Sequence, residues 1–494
     1  MANRRMNSGS APEGFGSGNG AVSATPRGGT RTSNALRGYP LVALLGGGFV
    51  ATYTFSSVNV ALEQIQSELG ASTAQLPLVI AAYAITFAVF LILGGRLGDK
   101  VGRDRMYAWG LLAFAIATVA AGLAPSMTWL LVLRVVQGIT AAMLVPQILS
   151  IIQTTSYGPA RLRAVALFCA TSGLGNAAGQ VIAGVLIDLD IGGRGWRSVL
   201  WFVALMALIL APGAFRLPRA EHNRRARMDG AGAALLGLLM LLLLAPISLG
   251  PSRHWPAWLI AMLICAPAVA ALFWQYQGSR ESRGKAALVP PTVVRFPALR
   301  VGLAMNFIFF AGFGAFMYEF AITTQRELGY TALESGLTLG GFSVVFAVVS
   351  MSLGVFRRLF GSYLIVVGAA GQILSLVAIA AIFQFDWPHS SQWLLQPALA
   401  LMGAAQALMF APLVNEVMAA IPQAVAGLTG GLFVTAQQSS LALGVAAYGS
   451  FFAALTTTFE SGLVGAFMIC LLIQAVTSVV FIALGLRLRR IAAG

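Results

Sequence analysis

The chain has 494 residues, 58% apolar and only 10% charged, with a net charge of +15 and a mean hydropathy of +0.82. Apolar stretches of about 20 residues, the length that crosses a bilayer's hydrocarbon core, recur throughout. They exclude a soluble enzyme, and the short loops exclude a receptor or scaffold built on large extramembrane domains. With the N-terminus inside, 26 of the 31 Lys and Arg fall on one side of the membrane. That positive-inside bias places both termini in the cytoplasm, turns the basic patches toward anionic lipid and argues against a nucleic-acid partner.

Hydrocarbon offers no water to backbone groups, so each span reads as a helix. Residues 1–38 are rich in Gly, Ser, Asn and Arg and lack a signal peptide's apolar core, so they read as a disordered cytoplasmic tail. Spans one to six, near 39–62, 76–97, 105–124, 127–150, 164–187 and 196–217, make an N-terminal six-helix bundle over 39–217. Spans seven and eight, near 229–249 and 256–276, are plain: Leu235–Leu244 is almost all Leu and Gly. They read as two inserted, lipid-facing helices over 228–276, followed by a cytoplasmic linker over 277–298 that contains Pro290-Pro291.

Spans nine to fourteen, near 299–324, 332–355, 362–383, 391–417, 428–452 and 461–486, make a C-terminal bundle over 299–490. The expected fold is therefore an all-α polytopic membrane protein of 14 transmembrane helices: two pseudo-symmetric six-helix bundles and an inserted pair. Gly95 and Gly102 close span two, and Gly354 and Gly361 close span ten at the same spacing, a faint repeat between the halves. Repeated membrane halves are the architecture of secondary transporters, with substrate held near the midplane between them.

Cys169, Cys265 and Cys470 lie in apolar helices, which gives no disulfide framework. His222, His254 and His389 fall in loops, so no metal or cofactor is expected. An enzyme such as a membrane transferase would need convergent His, Asp or Glu, and none converge. Arg134 is the cation placed within a span, where a guanidinium is costly and faces a cavity or a partner. Glu319 is the acid placed clearly inside, in Phe316-Met317-Tyr318-Glu319-Phe320. Each lies roughly 10 Å below the outer surface at 1.5 Å per residue.

Three segments carry a resemblance: Gly95–Arg105 between spans two and three, Leu133–Gly138 with Ala141, Ala142 and Pro146 in span four, and the span-five glycines that precede Trp196-Arg197. Together they are similar to the major facilitator superfamily, and within it to the fourteen-helix drug:proton antiporter branch, over about residues 39–490. The resemblance implies an inner gate at Gly95, Asp99, Lys100, Gly102 and Arg103, with a solvated topological loop as the bland alternative. It implies close helix packing at Gly138, Gly175, Gly179 and Gly184. Relatives carry an Asp four residues before a run matching Val58–Leu62, where this chain has Thr54; their span-five Pro is also missing, Gln180 following Gly179.

The resemblance makes spans one, four, nine and twelve the cavity-lining set, so Arg134 and Glu319 are expected to face each other. Glu319 then carries the proton and Arg134 competes with it, with a static salt bridge or headgroup-level water contact as alternatives. Thr54, Asn59, Gln137, Asn176, Gln180, Phe313 and Gln406 are the candidate substrate-cavity residues. The functional expectation is a monomeric, proton-coupled exporter of small hydrophobic compounds (a drug, toxin or secondary metabolite), working by alternating access. Import by symport or uniport is the alternative. The Arg-over-Lys, Ala- and Gly-rich composition points to a GC-rich bacterium and its inner membrane.

Overall fold

The computed structural model describes residues 37–493 apart from 73–74, 157, 220–228, 251–252, 254, 286, 387–390, 423–425 and 459–461. The tail before residue 37, most of the basic loop near 216–228, and His222, His254 and His389 lie outside the described residues. So do the side chains of Cys169, Gly173 and Asn176. Among the described residues every regular element is helical.

The first bundle comprises α1 (Tyr39–Leu69), α2 (Leu76–Val101), α3 (Arg103–Gly122), α4 (Met127–Thr155), α5 (Gly158–Asp188) and α6 (Trp196–Ala214). The inserted pair is α7 (Gly230–Leu249) and α8 (Ala257–Ser282), followed by the short α9 (Pro291–Val294). The second bundle holds α10 (Pro297–Glu327), α11 (Ala332–Thr338), α12 (Gly340–Met351), α13 (Leu353–Phe360), α14 (Leu364–Phe385), α15 (Gln392–Ala419), α16 (Ala426–Thr458) and α17 (Gly462–Ala493).

Twelve helical stretches among the described residues are long and apolar enough to cross a membrane, or thirteen with the bent α2. The expected fourteen is not reached, because the described part of α5 contributes only the short apolar helix Ala178–Asp188. The expected span ten is broken into α11, α12 and α13, with Leu339 and Ser352 at the breaks. Gly336, Gly340 and Gly341 flank the first break and have little intrinsic preference for helix. The expected linker is also partly helical: α8 runs on to Ser282 and α9 restarts at Pro291, whose fixed φ suits a first helical turn.

The two bundles repeat one packing scheme. In the first, α1 packs on α5 and α6, α2 on α4, and α3 on α4 and α6. In the second, α10 packs on α16 and α17, α12 on α15, and α14 on α15 and α17. The bundles join where α2 meets α16 and where α5 meets α11 and α12. α7 lies on the α2–α16 seam, and its partner α8 is only 17% buried over its most apolar window, as a lipid-facing helix should be.

Small residues set the closest approaches. A Cβ on Gly94 would stand 2.2 Å from the Ala142 carbonyl oxygen, and one on Gly138 2.4 Å from that of Tyr83. α2 and α4 therefore cross backbone to backbone. The second bundle does the same at Gly444, where a Cβ would fall 2.2 Å from the Ala311 oxygen. Replacing Gly138 with Val should lower the detergent melting temperature by several degrees, an overpacking cost of about 1–3 kcal/mol. Gly354 faces open space, and Gly354→Val in the same assay should melt close to wild type.

Candidate functional site

The turn between α2 and α3 is one residue long. Gly102 adopts φ 108° and donates its N–H to Gly98 O at 2.9 Å, a left-handed corner that other residues adopt only under strain. One turn earlier, Asp99 Oδ1 accepts from Arg103 Nε at 2.9 Å and from its NH2 at 2.7 Å. Gly95 faces the Pro146 ring, and a Cβ on Gly98 would meet Gln147 Oε1 at 2.2 Å. Gln147, buried in α4, donates to Gly94 O at 2.9 Å and seats the turn against its neighbour. Lys100 projects outward, exposed.

Arg134 is fully buried, and its hydrogen bonds stay within the first bundle. Nε donates to Val79 O at 2.8 Å, NH1 donates to Gln137 Oε1 at 2.8 Å, and the guanidinium lies 4.6 Å from the Tyr83 ring centre. Gln137 Nε2 passes the chain on to Thr118 Oγ1 at 2.8 Å, so α2, α3 and α4 are tied by one network. NH2 has no hydrogen-bond partner and borders a small, nearly all-apolar cavity with Val58, Ile65, Val79, Leu130 and Trp196.

Glu319 is equally buried, in α10. Its Oε2 accepts from Gln474 Nε2 of α17 at 3.1 Å, Cys470 stands beside it, and Oε1 has no hydrogen-bond partner. The expected encounter of Arg134 with Glu319 is therefore corrected. α4 packs into the first bundle and points its guanidinium at α2, whereas α10 turns Glu319 toward α17 of the second. Neither residue takes part in a salt bridge among the described residues.

Of the other candidates, Phe313 and Gln406 come together, bordering a small cavity inside the second bundle with Phe309, Gln372, Gln474 and Ser478. Thr54 spends its hydroxyl on Val50 O at 2.7 Å, and Asn59 bonds Ser56 O at 3.1 Å, so both are turned into their own helix. Gln137 is absorbed by the Arg134 network, and Asn176 is outside the described side chains. Gln180 crosses between bundles, its Nε2 reaching Met317 Sδ at 3.7 Å. Gly175 and Gly179 face α1 at Phe49, Thr52, Tyr53 and Ser56, but Gly184 faces Ala332 and Leu333 of α11, across the bundle boundary.

That last contact belongs to a closure at the end opposite the Gly102 turn. There Gly336 lies against the Gln180 backbone, Gly449 against the Pro77 ring, and Arg326 NH2 donates to Gln66 Oε1. Beside it Glu68 accepts from Trp196 Nε1 at 2.6 Å and from Arg197, whose NH2 also reaches Ala124 O at 3.3 Å. Sequence reasoning missed Glu68, Gln147, Gln372 and Gln474. A lone Gln in an otherwise apolar span was the available signal for Gln372 and Gln474.

The family model described as Major Facilitator Superfamily matches residues 44–230. A Streptomyces coelicolor protein named "Probable actinorhodin transporter" is 30% identical over 424 residues, 85% of this chain and 73% of the relative. The chain belongs to the major facilitator superfamily. It is a multi-pass membrane transporter for small molecules, not an enzyme. The cephamycin export protein CmcT of Amycolatopsis lactamdurans is 29% identical over 81% of each chain. Among solved structures, the transporter superposes on a bacterial homologue of the human lysosomal transporter Spinster with a TM-score of 0.63. That match covers 92% of this chain and 97% of the other at 18% identity, a likeness of fold.

The Arg134 network yields a stability prediction for the transporter. Arg134→Ala strips Gln137 Oε1 of its donor and should cost about 1–3 kcal/mol, read as a lowered melting temperature in detergent. Arg134→Lys keeps the charge but not the two-directional fork, and should fall between Ala and wild type. A Lys variant melting no higher than the Ala variant would assign the whole effect to geometry rather than charge.

Proposed function

We propose that this transporter exports small, largely hydrophobic organic compounds by alternating access, driven by proton entry, with Glu319 as the proton-carrying group. The names of its relatives support export: one is a cephamycin export protein and another a puromycin resistance protein of Streptomyces alboniger. The carrying observation for coupling is Glu319 itself, fully buried, one oxygen on Gln474 and the other without a hydrogen-bond partner, with no salt-bridge partner among the described residues. An unpaired charge sealed among helices is costly. A carboxyl group that alternates between this setting and a hydrated one therefore takes up and releases a proton in step with the motion.

The positive-inside bias supports a cytoplasmic location for the end that carries the Gly102 turn and both termini. On that reading the bundles touch at the outer end, through Gly184, Gly336 and Arg326. Asp99 is then satisfied by Arg103 in its own turn, and closing the inner side would exchange that pair for contacts across the boundary. Arg134 serves here as a structural cation of the first bundle.

In inverted vesicles Glu319→Gln should abolish accumulation driven by an imposed proton gradient while leaving downhill counterflow of the same compound measurable. Gradient-driven accumulation equal to wild type would remove Glu319 from the coupling scheme.

A further inference from the structure

Two orphaned acceptors in the second bundle point to a feature that the proposed cycle needs. Gln372 is 8% exposed and Glu319 fully buried, and Oε1 of each lacks any hydrogen-bond partner in the protein. Leaving such an oxygen bare is costly, and buried polar groups in native proteins are met by protein or by ordered water. Gln372 borders the cavity between α10, α14, α15 and α17, and Gln474, which holds Glu319 Oε2, borders it too.

Unlike the apolar cavity beside Arg134, this one mixes amides and hydroxyls with rings: Gln372, Gln406, Gln474 and Ser478 against Phe309 and Phe313. A polar cavity with room for about one water and several hydrogen-bonding partners is the setting in which buried water is held. Direction matters as well. Phe309 and Phe313 precede Glu319 in α10, and Thr477 and Phe481 follow Gln474 in α17. The cavity thus extends from Gln474, which bonds Glu319, toward the end of the molecule that carries the Gly102 turn.

We propose that this cavity is a built water site and the proton route to Glu319, with Gln474 as the positioning residue that holds the carboxyl group at its head. The proposal rests on the reading of Glu319 as proton carrier. In the step itself a hydronium in the route gives up a proton, leaving water, and the O–H bond forms on Glu319; release is the reverse. Cys470, Tyr448 and Tyr318 are the titratable groups around the site. None of them is a cation that would hold Glu319 permanently charged.

Gly312 permits a direct test, since it borders the cavity and a Cβ added there meets nothing within 4 Å. In the full-length protein reconstituted in liposomes, infrared difference spectra identify the Glu319 carboxyl band as the one missing in Glu319→Gln. Its hydrogen–deuterium exchange is then timed. Gly312→Leu, filling the cavity, should slow exchange about tenfold, Gly312→Ala should slow it less, and both should keep the band. Exchange as fast as wild type in a folded Gly312→Leu protein overturns the route and leaves the proton-carrier reading standing. A wild-type spectrum with no band lost in Glu319→Gln overturns both. Should Gly312→Leu fail to fold, Ser478→Leu fills the same space from α17 and is judged by the same criterion.

Discussion

A polar atom inside a bilayer has no water to fall back on, so every buried donor and acceptor must be satisfied by another helix or left at a cost. This constraint orders the whole molecule. The Arg134–Gln137–Thr118 chain, the Gln147 bond to Gly94 and the Tyr107 hydroxyl on Ala43 O at 2.6 Å are its solutions in the first bundle. Each ties two or more helices, and each works because glycines such as Gly94 and Gly138 let backbones come close enough to be reached. Apolar packing against lipid-like neighbours supplies little direction of its own. The polar ties and the small residues decide which faces meet.

The inserted pair obeys the same rule in a different way. Its one buried polar knot is at the end, where Asp229 accepts from Gly232 N at 2.9 Å and Gln277 Nε2 at 3.0 Å and stands 3.5 Å from Arg280 Nε. Gln277 in turn accepts from Leu288 N at 2.7 Å, fastening the chain after α8 to the start of α7. Beyond that knot α7 offers a plain Leu and Gly surface to α2 and α16. Non-directional contacts of this kind fix the position of α7 along the α2–α16 seam less strongly than the polar knot fixes its start.

Much of this was legible from residue order because hydropathy and glycine position act locally. Approximate span positions, a tight glycine-bearing turn between Gly95 and Arg105 and the placement of Arg134 and Glu319 inside spans follow from residues near one another in the chain, although the turn proved shorter than the spans implied. What was not legible is partner choice. Equal depth suggested that Arg134 and Glu319 meet, yet depth is a single coordinate, and rotation about each helix axis decides the rest. α4 turns Arg134 onto Val79 and Tyr83, and α10 turns Glu319 onto Gln474 more than 150 residues later. Thr54 and Asn59 show the same blindness, since both bond their own helix rather than a shared cavity.

The two bundles share one packing scheme but divide the polar groups unequally, and the division has a physical consequence. The first bundle holds its buried charge in place: Arg134 has two hydrogen bonds and a ring beneath it, so any motion that separated them would expose several costs at once. The second bundle holds its buried carboxyl by neutral groups, Gln474 and the Cys470 thiol, next to a polar cavity. A carboxyl held only by neutral groups can change partners at a smaller cost than a guanidinium fixed by two hydrogen bonds and a ring. Adjustable polar contacts thus lie in one half, and the fixed ones in the other. Two halves built alike in backbone can rock against each other as units, and on the proposed reading of Glu319 only one of them needs to change its protonation for the rocking to acquire a direction.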